Sequence, residues 1–388
     1  MTQADRELRE SGSGVAAMGA EAPRASIPAG GVGTLSCSAK PLTGEDPGAE
    51  VLDFSTNVNP LGPPPRLAEL GVLTLSLLQR YPDDLVLRAR QRLAEVHRVA
   101  AENILLGAGA TDLVYLLPRA LRPRRALTLA PCPRHYWRAA EQVGADVEGL
   151  MASAERAFAP DISALRERLS GVDLVWLASP NDPTGTVLDR QEMLDLTLAY
   201  PRTVFVVDEV HIEYLRDHTD RTLLAPGMPP NLVVLRSFSN FYAVPGLRLG
   251  YLGAQAEMVK RLETVARPWS VHSLAAAAVP LLLEDDSYGV RTRQVVEEER
   301  DFLVRAVSEI PGLRAYRTAA NFLLIQHTRH GAPGVQHLRE DLRAKGLLVR
   351  DGAGFRGLDG SYIRITIRTR PENERFVTVL RAAMHERA

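Results

Sequence analysis

Short apolar stretches alternate with longer segments that are polar on one side, from about residue 80 onward. Five of these stretches are rich in Val and Leu, as strands buried on both faces of a sheet are. They cover residues 125–131, 173–180, 203–210, 231–239 and 246–254. Most of the segments between them are longer and polar on one side, as the crossover helices between parallel strands require. The pattern predicts an α/β fold with a mostly parallel sheet flanked by helices.

The pattern changes after about residue 265. A long charged helix is predicted over 289–310, followed by shorter strands over 320–326, 346–351 and 362–368. This succession predicts a second, smaller α+β domain. We therefore expect four parts: a tail or arm at 1–45, a segment at 46–79 that joins the small domain, a large domain at 80–270, and an interdomain helix with the C-terminal small domain at 271–388.

Composition narrows the classes of partner. Of the 388 residues, 45% are apolar and the formal net charge is -1, so there is no electrostatic reason to expect a nucleic acid or an anionic membrane. The longest apolar runs are too short to span a membrane. The two cysteines, Cys37 and Cys132, have no paired spacing. We therefore expect a cytoplasmic protein without a zinc cluster or other metal site.

Four polar motifs lie at predicted strand ends or at a helix start, where open α/β sheets bind ligands. They are GAGATD at 107–112, SPNDPTG at 179–185, VVDEVH at 206–211 and LRSFSNFYAVPGLRLGY at 235–251. A glycine-rich loop that opens a helix offers free backbone N–H groups to an anion. The first three motifs also have plain structural explanations, namely a capped loop, a turn, and a helix cap or salt bridge.

Together the motifs predict a site for pyridoxal 5′-phosphate. Ser237, Ser239 and Arg248 would contact one phosphate, and Asp208 ends a buried strand, where an unpaired carboxylate is costly. A carboxylate beside the pyridine nitrogen keeps that nitrogen protonated, which lets the ring accept electrons. A dinucleotide-binding module is the alternative from another class, but residues 107–112 lack the full glycine spacing and the acidic residue that follows it.

The same motifs make residues 50–385 resemble the fold type I pyridoxal-phosphate enzymes, aminotransferase class I/II. The nearest likeness is to histidinol-phosphate aminotransferases and threonine-phosphate decarboxylases. It extends to DFSTNVNPLGPP at 53–64, RYPDDLVLRARQRLA at 80–94, RPWSVHSLAAAA at 267–278 and YIRITIRTRPENERF at 362–376. The resemblance implies a homodimeric enzyme with composite active sites. It would act on an amino acid through an external aldimine and a Cα carbanion, by transamination or decarboxylation.

The resemblance also implies a role for each matching residue. Asp208 would pair with the pyridine nitrogen, Asn181 would donate to the ring oxygen, and Tyr136 would stack on the ring unless it is a core tyrosine. The phosphate would be held by Ala110, Thr111, Ser237, Ser239, Arg248 and, from the partner subunit, Tyr81. The substrate would be bound by Asn57, Arg364 and Arg368. Arg364 would hold the substrate carboxylate in a bidentate pair, unless it is a surface arginine on an edge strand.

Three positions depart from the family pattern. Asn240 stands where the Schiff-base lysine belongs, and the chain has three lysines in all: Lys40, Lys260 and Lys345. His211 stands where a tyrosine or another aromatic usually faces the ring oxygen. Asp182 replaces the commoner asparagine before Pro183. This last change leaves the ring-oxygen contact open between positions 181 and 182.

An amide at position 240 cannot do what the family's lysine does, which is to hold the cofactor as an imine and to move the proton at the substrate α-carbon. Three explanations are open: an engineered Lys→Asn exchange that traps the aldimine, a natural lysine-free enzyme with His211 as the base, and a non-catalytic cofactor-binding protein. An enzyme of specialised metabolism that runs an elimination, a C–C bond formation or a ring closure on an amino acid such as S-adenosylmethionine is also open. We predict that the cofactor binds non-covalently.

Overall fold

The computed structural model describes residues 51–329 and 331–385, so the predicted tail at 1–45 lies outside the described residues. The strands are β1 (Leu52–Asp53), β2 (Ile104–Gly107), β3 (Arg125–Ala130), β4 (Cys132–Pro133), β5 (Asp146–Met151), β6 (Leu174–Ala178), β7 (Val204–Asp208), β8 (Leu232–Ser237), β9 (Gly250–Ala254), β10 (Leu313–Tyr316), β11 (Phe322–His327), β12 (Leu347–Leu348), β13 (Arg350–Asp351), β14 (Phe355–Arg356) and β15 (Tyr362–Thr366).

The helices are α1 (Glu69–Leu78), α2 (Asp83–His97), α3 (Ala110–Leu121), α4 (Arg134–Glu141), α5 (Ile162–Arg168), α6 (Arg190–Ala199), α7 (His218–Arg221), α8 (Ala256–Glu263), α9 (Ser273–Leu283), α10 (Asp286–Ser308), α11 (Gly331–Ala344) and α12 (Arg370–His385). Short 3-10 turns occupy Pro65–Ala68, Ala101–Asn103, Ile212–Tyr214, Pro245–Leu247 and Gly352–Gly354. Among the described residues, no helix combines the length and the apolar character that crossing a membrane needs.

The larger sheet has seven strands in the order β2-β9-β8-β7-β6-β3-β5. Four of the neighbouring pairs are parallel, and only β9 runs against its neighbours β2 and β8. The side chains of β6 explain why this segment forms a central strand: Leu174 and Trp176 enter one buried cluster while Val175 and Leu177 enter another. The predicted α/β fold with a mostly parallel sheet is confirmed.

Strand register brings the polar motifs to one edge of this sheet. Asp208, the last residue of β7, lies opposite Leu235 of β8, and Ser237 at the end of β8 lies opposite Gly250. Gly250 also lies opposite Gly107, the last residue of β2. The glycine-rich loop, the acidic strand end and the serine turn are therefore neighbours in space.

A smaller antiparallel sheet, in the order β10-β11-β15-β13, carries the arginines of the C-terminal strand. Its core side chains pack with those of α10 and α12, including Val296, Leu303 and Phe376. A two-strand pairing between β4 and β14 links the region after β3 to the segment before β15, with Phe355 opposite Pro133. This pairing brings the C-terminal region next to the start of α4, the helix that carries Tyr136.

Candidate active site

The start of α3 is built to receive an anion. Helix α3 begins at Ala110 after Gly109, which has a left-handed φ of 82°, and no side chain caps its first turn. A Cβ on Gly109 would lie 2.4 Å from Nη2 of Arg248, and a Cβ on Gly250 would lie 2.4 Å from the backbone nitrogen of Ala110. The two glycines therefore let a guanidinium and a strand approach the helix start, where N–H groups are free to bind a phosphate.

The serine turn after β8 faces the same helix start. Ser237 is buried, and its Oγ accepts a hydrogen bond from the backbone N–H of Ser239 at 3.1 Å. Arg248 has a left-handed φ of 49° and donates from Nη1 to the Pro245 carbonyl at 3.2 Å. The structure thus assembles the predicted phosphate-binding set from three separate segments: Ala110, Thr111, Ser237, Ser239 and Arg248.

Asp208 is buried at the end of β7. Its Oδ2 accepts a 2.6 Å hydrogen bond from the Tyr136 hydroxyl, and its Oδ1 accepts one from the Val210 N–H at 3.0 Å. Burial raises the pKa of Asp208 to about 6, against the lowering effect of the Tyr136 hydrogen bond. A buried carboxylate with this pKa suits a partner that carries a proton, as a pyridinium does.

Tyr136 lies in α4 with one ring face covered. Its ring stacks on Trp176 with centroids 5.0 Å apart and planes 5° apart, and its hydroxyl donates to Asp208. These contacts make Tyr136 part of the buried cluster on one face of the large sheet. Its stacking on the cofactor ring stays a prediction. Sequence analysis missed Trp176 because an apolar residue in the middle of a strand carries no polar signal.

The two residues before Pro183 have different environments. Asn181 is buried, and its amide nitrogen donates to the Pro131 carbonyl at 2.9 Å and to Thr184 Oγ1 at 2.8 Å. Its amide nitrogen therefore already donates to two groups of the chain, which differs from the expectation that Asn181 donates to the ring oxygen. Asp182 instead faces Arg364 across the site.

Arg364 is a buried residue of β15, which excludes the alternative of a surface arginine on an edge strand. Its Nη1 donates to both carboxylate oxygens of Asp182 at 2.8 and 2.7 Å, and its Nη2 donates to the Ser55 carbonyl at 2.6 Å. Both terminal nitrogens of the arginine predicted to bind a substrate carboxylate thus already donate to groups of the chain.

The other predicted substrate residues differ in their freedom to bind. Arg368 donates to the Asp53 carbonyl at 3.0 Å and to Glu372 at 2.6 Å, an arrangement that ties β15 to the start of α12. Asn57 is buried with an Oδ1 that has no hydrogen-bond partner among the described residues. Asn57 therefore keeps a free acceptor, whereas the Nη groups of Arg368 are both used.

His211 is buried directly after the acidic strand end. Burial lowers its pKa to about 4, with a smaller opposing effect of Asp182, so the imidazole is neutral at pH 7. Its Nδ1 has no hydrogen-bond partner among the described residues, and neither has the buried hydroxyl of Tyr214 beside it. A neutral imidazole has one ring nitrogen that can accept a proton.

Asn240 occupies a turn that the N-terminal segment holds in place. Its carbonyl accepts a hydrogen bond from the Asn59 backbone N–H at 3.0 Å, and the Asn59 amide donates to the Phe241 carbonyl at 2.8 Å. Within residues 51–329 and 331–385, the side-chain amide of Asn240 forms no hydrogen bond. Sequence analysis missed Asn59 as a support for this turn, because its partners lie more than 180 residues away.

The two described lysines are engaged elsewhere or exposed. Lys260 lies on α8, where its amine pairs with Glu257 at 2.7 Å. Lys345 follows α11 and is exposed. Lys40 lies outside the described residues.

Tyr81 is 73% exposed and packs against Trp269, with ring centroids 4.7 Å apart. It follows α1, which also exposes large apolar side chains: Val72, Leu73, Leu75 and Leu78. Exposed apolar patches of this kind mark surfaces that contact another protein. The predicted contact of Tyr81 with the partner's cofactor stays a prediction.

The residues present fit pyridoxal 5′-phosphate. The uncapped start of α3, with two glycines that leave room for Arg248 and for the helix amides, fits the phosphate. Buried Asp208 fits the pyridine nitrogen. Asn57 Oδ1 and His211 Nδ1 are buried atoms without a hydrogen-bond partner among the described residues, so this region has polar groups that a bound molecule could satisfy.

The fold and the site together define a class. A sequence model of the family "Aminotransferase class I and II" matches residues 49–380, so the chain belongs to this family. This confirms the predicted family, its enzymatic character and, at the level of the family, the predicted pyridoxal-phosphate cofactor.

The chain has relatives among both kinds of enzyme that its sequence resembles, the threonine-phosphate decarboxylases and the histidinol-phosphate aminotransferases. The chain is 32% identical to the threonine-phosphate decarboxylase of Salmonella typhimurium over 342 residues, covering 86% of this chain and 91% of the relative. It is 33% identical to the histidinol-phosphate aminotransferase of Symbiobacterium thermophilum over 341 residues, covering 87% and 91%.

Solved structures agree with the fold. The L-threonine-O-3-phosphate decarboxylase of Porphyromonas gingivalis superposes with a TM-score of 0.78 at 28% identity, covering 86% of this chain and all of that one. The histidinol-phosphate aminotransferase of Sinorhizobium meliloti, solved in complex with pyridoxal-5′-phosphate, superposes with a TM-score of 0.79 at 19% identity, covering 87% and 92%.

Proposed function

We propose that this chain binds pyridoxal 5′-phosphate without a covalent link and holds an amino substrate beside it. The helix start at Ala110 and Thr111, with Ser237, Ser239 and Arg248, would hold the phosphate, and Asp208 would face the pyridine nitrogen. When bound, the cofactor supplies an electron sink for bonds at the carbon that bears the substrate's amino group. The chain's own residues orient both molecules and control the protons.

The observation that carries this proposal is Asn240. It lies one residue after Ser239, which is proposed to contact the phosphate, in a turn whose backbone is fixed by Asn59. We infer that it occupies the position of the family's lysine. An amide is not nucleophilic towards an aldehyde and does not exchange a proton near neutral pH, so turnover loses a positioned base worth about 10²–10⁴-fold.

A second candidate is a lysine-free enzyme in which His211 moves the proton. The buried and neutral imidazole with its unpartnered Nδ1 favours this candidate. His211→Ala in the unaltered chain separates the two. We expect a loss of about 10²-fold or more if His211 is the base, and little change in an already slow rate if it is not. Rates are followed with a phosphorylated amine or amino acid as substrate.

The substrate class is proposed from the relatives. Both are named for phosphorylated substrates, one a decarboxylase and the other an aminotransferase. We propose a phosphorylated amine or amino acid, with transamination or decarboxylation as the parent chemistry. A cytoplasmic location fits the free, buried thiol of Cys132.

Assembly into a homodimer is part of the proposal. The exposed apolar side chains of α1 and the exposed Tyr81 form a continuous stretch of sequence from 72 to 81. A second copy that covers this surface would bring Tyr81 towards the partner's phosphate site, as the family resemblance implies. The active sites would then be composite.

Absorbance tests the proposal. Addition of pyridoxal 5′-phosphate to the purified chain should give a saturable spectrum of bound cofactor that extended dialysis removes. Asn240→Lys should retain the cofactor through the same dialysis. A control must add an amine at an exposed position, which excludes Asn231→Lys because Asn231 is buried. The exposed Gln191→Lys is the control that adds an amine elsewhere. The absence of saturable binding, or equal retention by all three proteins, would overturn the proposal.

A further inference from the structure

Asp182 and Arg364 form an ion pair inside the candidate site. The pair is shielded from water, since the two side chains are 19% and 7% exposed. Arg364 also lies against the rings of Phe322 and Phe355, with its guanidinium carbon 5.6 and 5.5 Å from their centroids. A carboxylate of the chain itself therefore occupies the arginine that a substrate carboxylate would be expected to use.

The negative charge of Asp182 also acts on several surrounding side chains. Burial is the main cause of the shifted pKa values of His135, His211 and Asp208, and the negative charge of Asp182 raises the pKa of all three. It raises the pKa of Arg350 as well, although burial lowers that pKa overall. Asp182 thus lies among the polar groups of the site, on the side where the substrate is expected.

We propose that Asp182 determines the specificity of this site by occupying Arg364, so that the site selects an amino substrate without an α-carboxylate. This inference rests on the proposed function. A carboxylate brought to Arg364 must displace Asp182 or lie beside it, and like charges at that range repel one another. An amine or amino alcohol meets no such repulsion and leaves the buried ion pair intact.

Buried ion pairs make this selection strong. Removing a carboxylate from a buried guanidinium leaves two charges to be satisfied, which is far more costly than breaking an exposed pair. A substrate carboxylate could replace Asp182 at Arg364, but Asp182 would then remain uncompensated in a poorly hydrated site. The ion pair therefore acts against carboxylates as a class rather than for one particular ligand.

The test compares two probes on the unaltered chain loaded with pyridoxal 5′-phosphate. The probes are O-phospho-L-threonine and 1-amino-2-propanol O-phosphate, which is the same molecule without its carboxylate. Titration calorimetry should show that the amine binds about tenfold more tightly or better. Equal affinities, tighter binding of the amino acid, or no binding of either probe would overturn the inference. A missing cofactor spectrum before the probes are added would overturn the proposed function with it.

Asp182→Asn provides the matched variant, since it removes the charge and keeps the shape. It should strengthen binding of O-phospho-L-threonine by about tenfold and change binding of the amine by less than about threefold. Asp217→Asn is the control, because it makes the same substitution at an exposed pair with Arg221. An unchanged ratio of affinities in Asp182→Asn would contradict the inference. If that variant does not fold, the two probes on the unaltered chain decide alone.

Discussion

Two buried or half-buried carboxylates set the charge of the candidate site, and their surroundings differ. Asp182 faces a guanidinium, whereas Asp208 accepts hydrogen bonds from the Tyr136 hydroxyl and a backbone N–H. A hydrogen bond from a neutral hydroxyl stabilises a carboxylate less than a hydrogen bond from a cation does. The charge of Asp208 is therefore costly in the cofactor-free protein, and a protonated ring nitrogen would relieve that cost.

The titration of Asp208 gives a prediction for stability. Its folded pKa of about 6 lies above its ordinary value of 3.8. Between these values the folded state binds more protons than the unfolded state, so the free energy of unfolding falls as pH rises. Urea unfolding of the cofactor-free protein should show a decline that Asp208→Asn lacks, amounting to about 3 kcal/mol between pH 3.5 and 6.5. Parallel curves for the two proteins would contradict the assignment, and Asp195→Asn, at an exposed position, serves as the control.

Single residues also show where sequence analysis stops. The placement of Asp208 and Ser237 at one edge of the sheet was predictable because each ends an apolar strand, and the ends of such strands meet at one edge. The Asp182–Arg364 pair joins positions 182 residues apart, so no local pattern indicates it. The contact depends on how the two sheets are arranged, which the periodicity of either segment does not specify.

Among the elements, the approach of β9 and Arg248 to the start of α3 decides whether a phosphate can bind. This approach depends on Gly109, whose φ is 82° and whose missing Cβ leaves room for Arg248. Gly144 has a nearly equal φ of 83°, yet nothing lies within 4 Å of a Cβ added there. Substitutions at the two glycines therefore distinguish the effect of backbone strain, which both share, from the effect of contact with Arg248, which only Gly109 has.

Gly109→Ala should lose affinity for pyridoxal 5′-phosphate, because its Cβ displaces the Arg248 guanidinium from the helix start. We expect a loss of about tenfold or more, in line with the loss of a charge-assisted contact to phosphate. Gly144→Ala should keep normal affinity while showing a similar cost in stability, about 1 kcal/mol. Spectral titration and thermal unfolding of both variants check this. Equal affinities in the two variants would show that Arg248 is not a phosphate ligand.

Elements differed in how well the sequence predicted them. Almost every side chain of β6, β7 and β8 is buried. These strands therefore appear in the sequence as continuous apolar runs, which indicated them. Strand β5 was missed because it lies at the sheet edge and exposes several side chains. Strand β9 begins at Gly250 rather than at 246, because a 3-10 turn and the left-handed Arg248 precede it.

For the whole molecule, the described chain leaves one apolar surface uncovered. Val72 and Leu75 of α1 are 89% and 78% exposed, and Tyr81 follows them. Because the proposed site takes Tyr81 from the partner, assembly and cofactor binding should be linked.

A charged residue in this surface should separate the subunits. Leu75→Asp is expected to turn a dimer into a monomer in sedimentation experiments and to weaken cofactor binding together with it. Leu198→Asp, at a 67% exposed position on α6, is the matched control and should remain dimeric. A monomeric parent protein with normal cofactor affinity would refute the composite site.

The central claim is that Asn240 stands at the lysine position and leaves the cofactor without a covalent link. The most direct measurement is the intact mass of the cofactor-loaded chain after borohydride treatment, which makes a link between a cofactor aldehyde and a lysine amine permanent. The present chain should keep its polypeptide mass, and Asn240→Lys should gain one reduced cofactor at position 240. A reduced cofactor on Lys260 or Lys345 of the present chain, or an unmodified Asn240→Lys protein, would contradict the account.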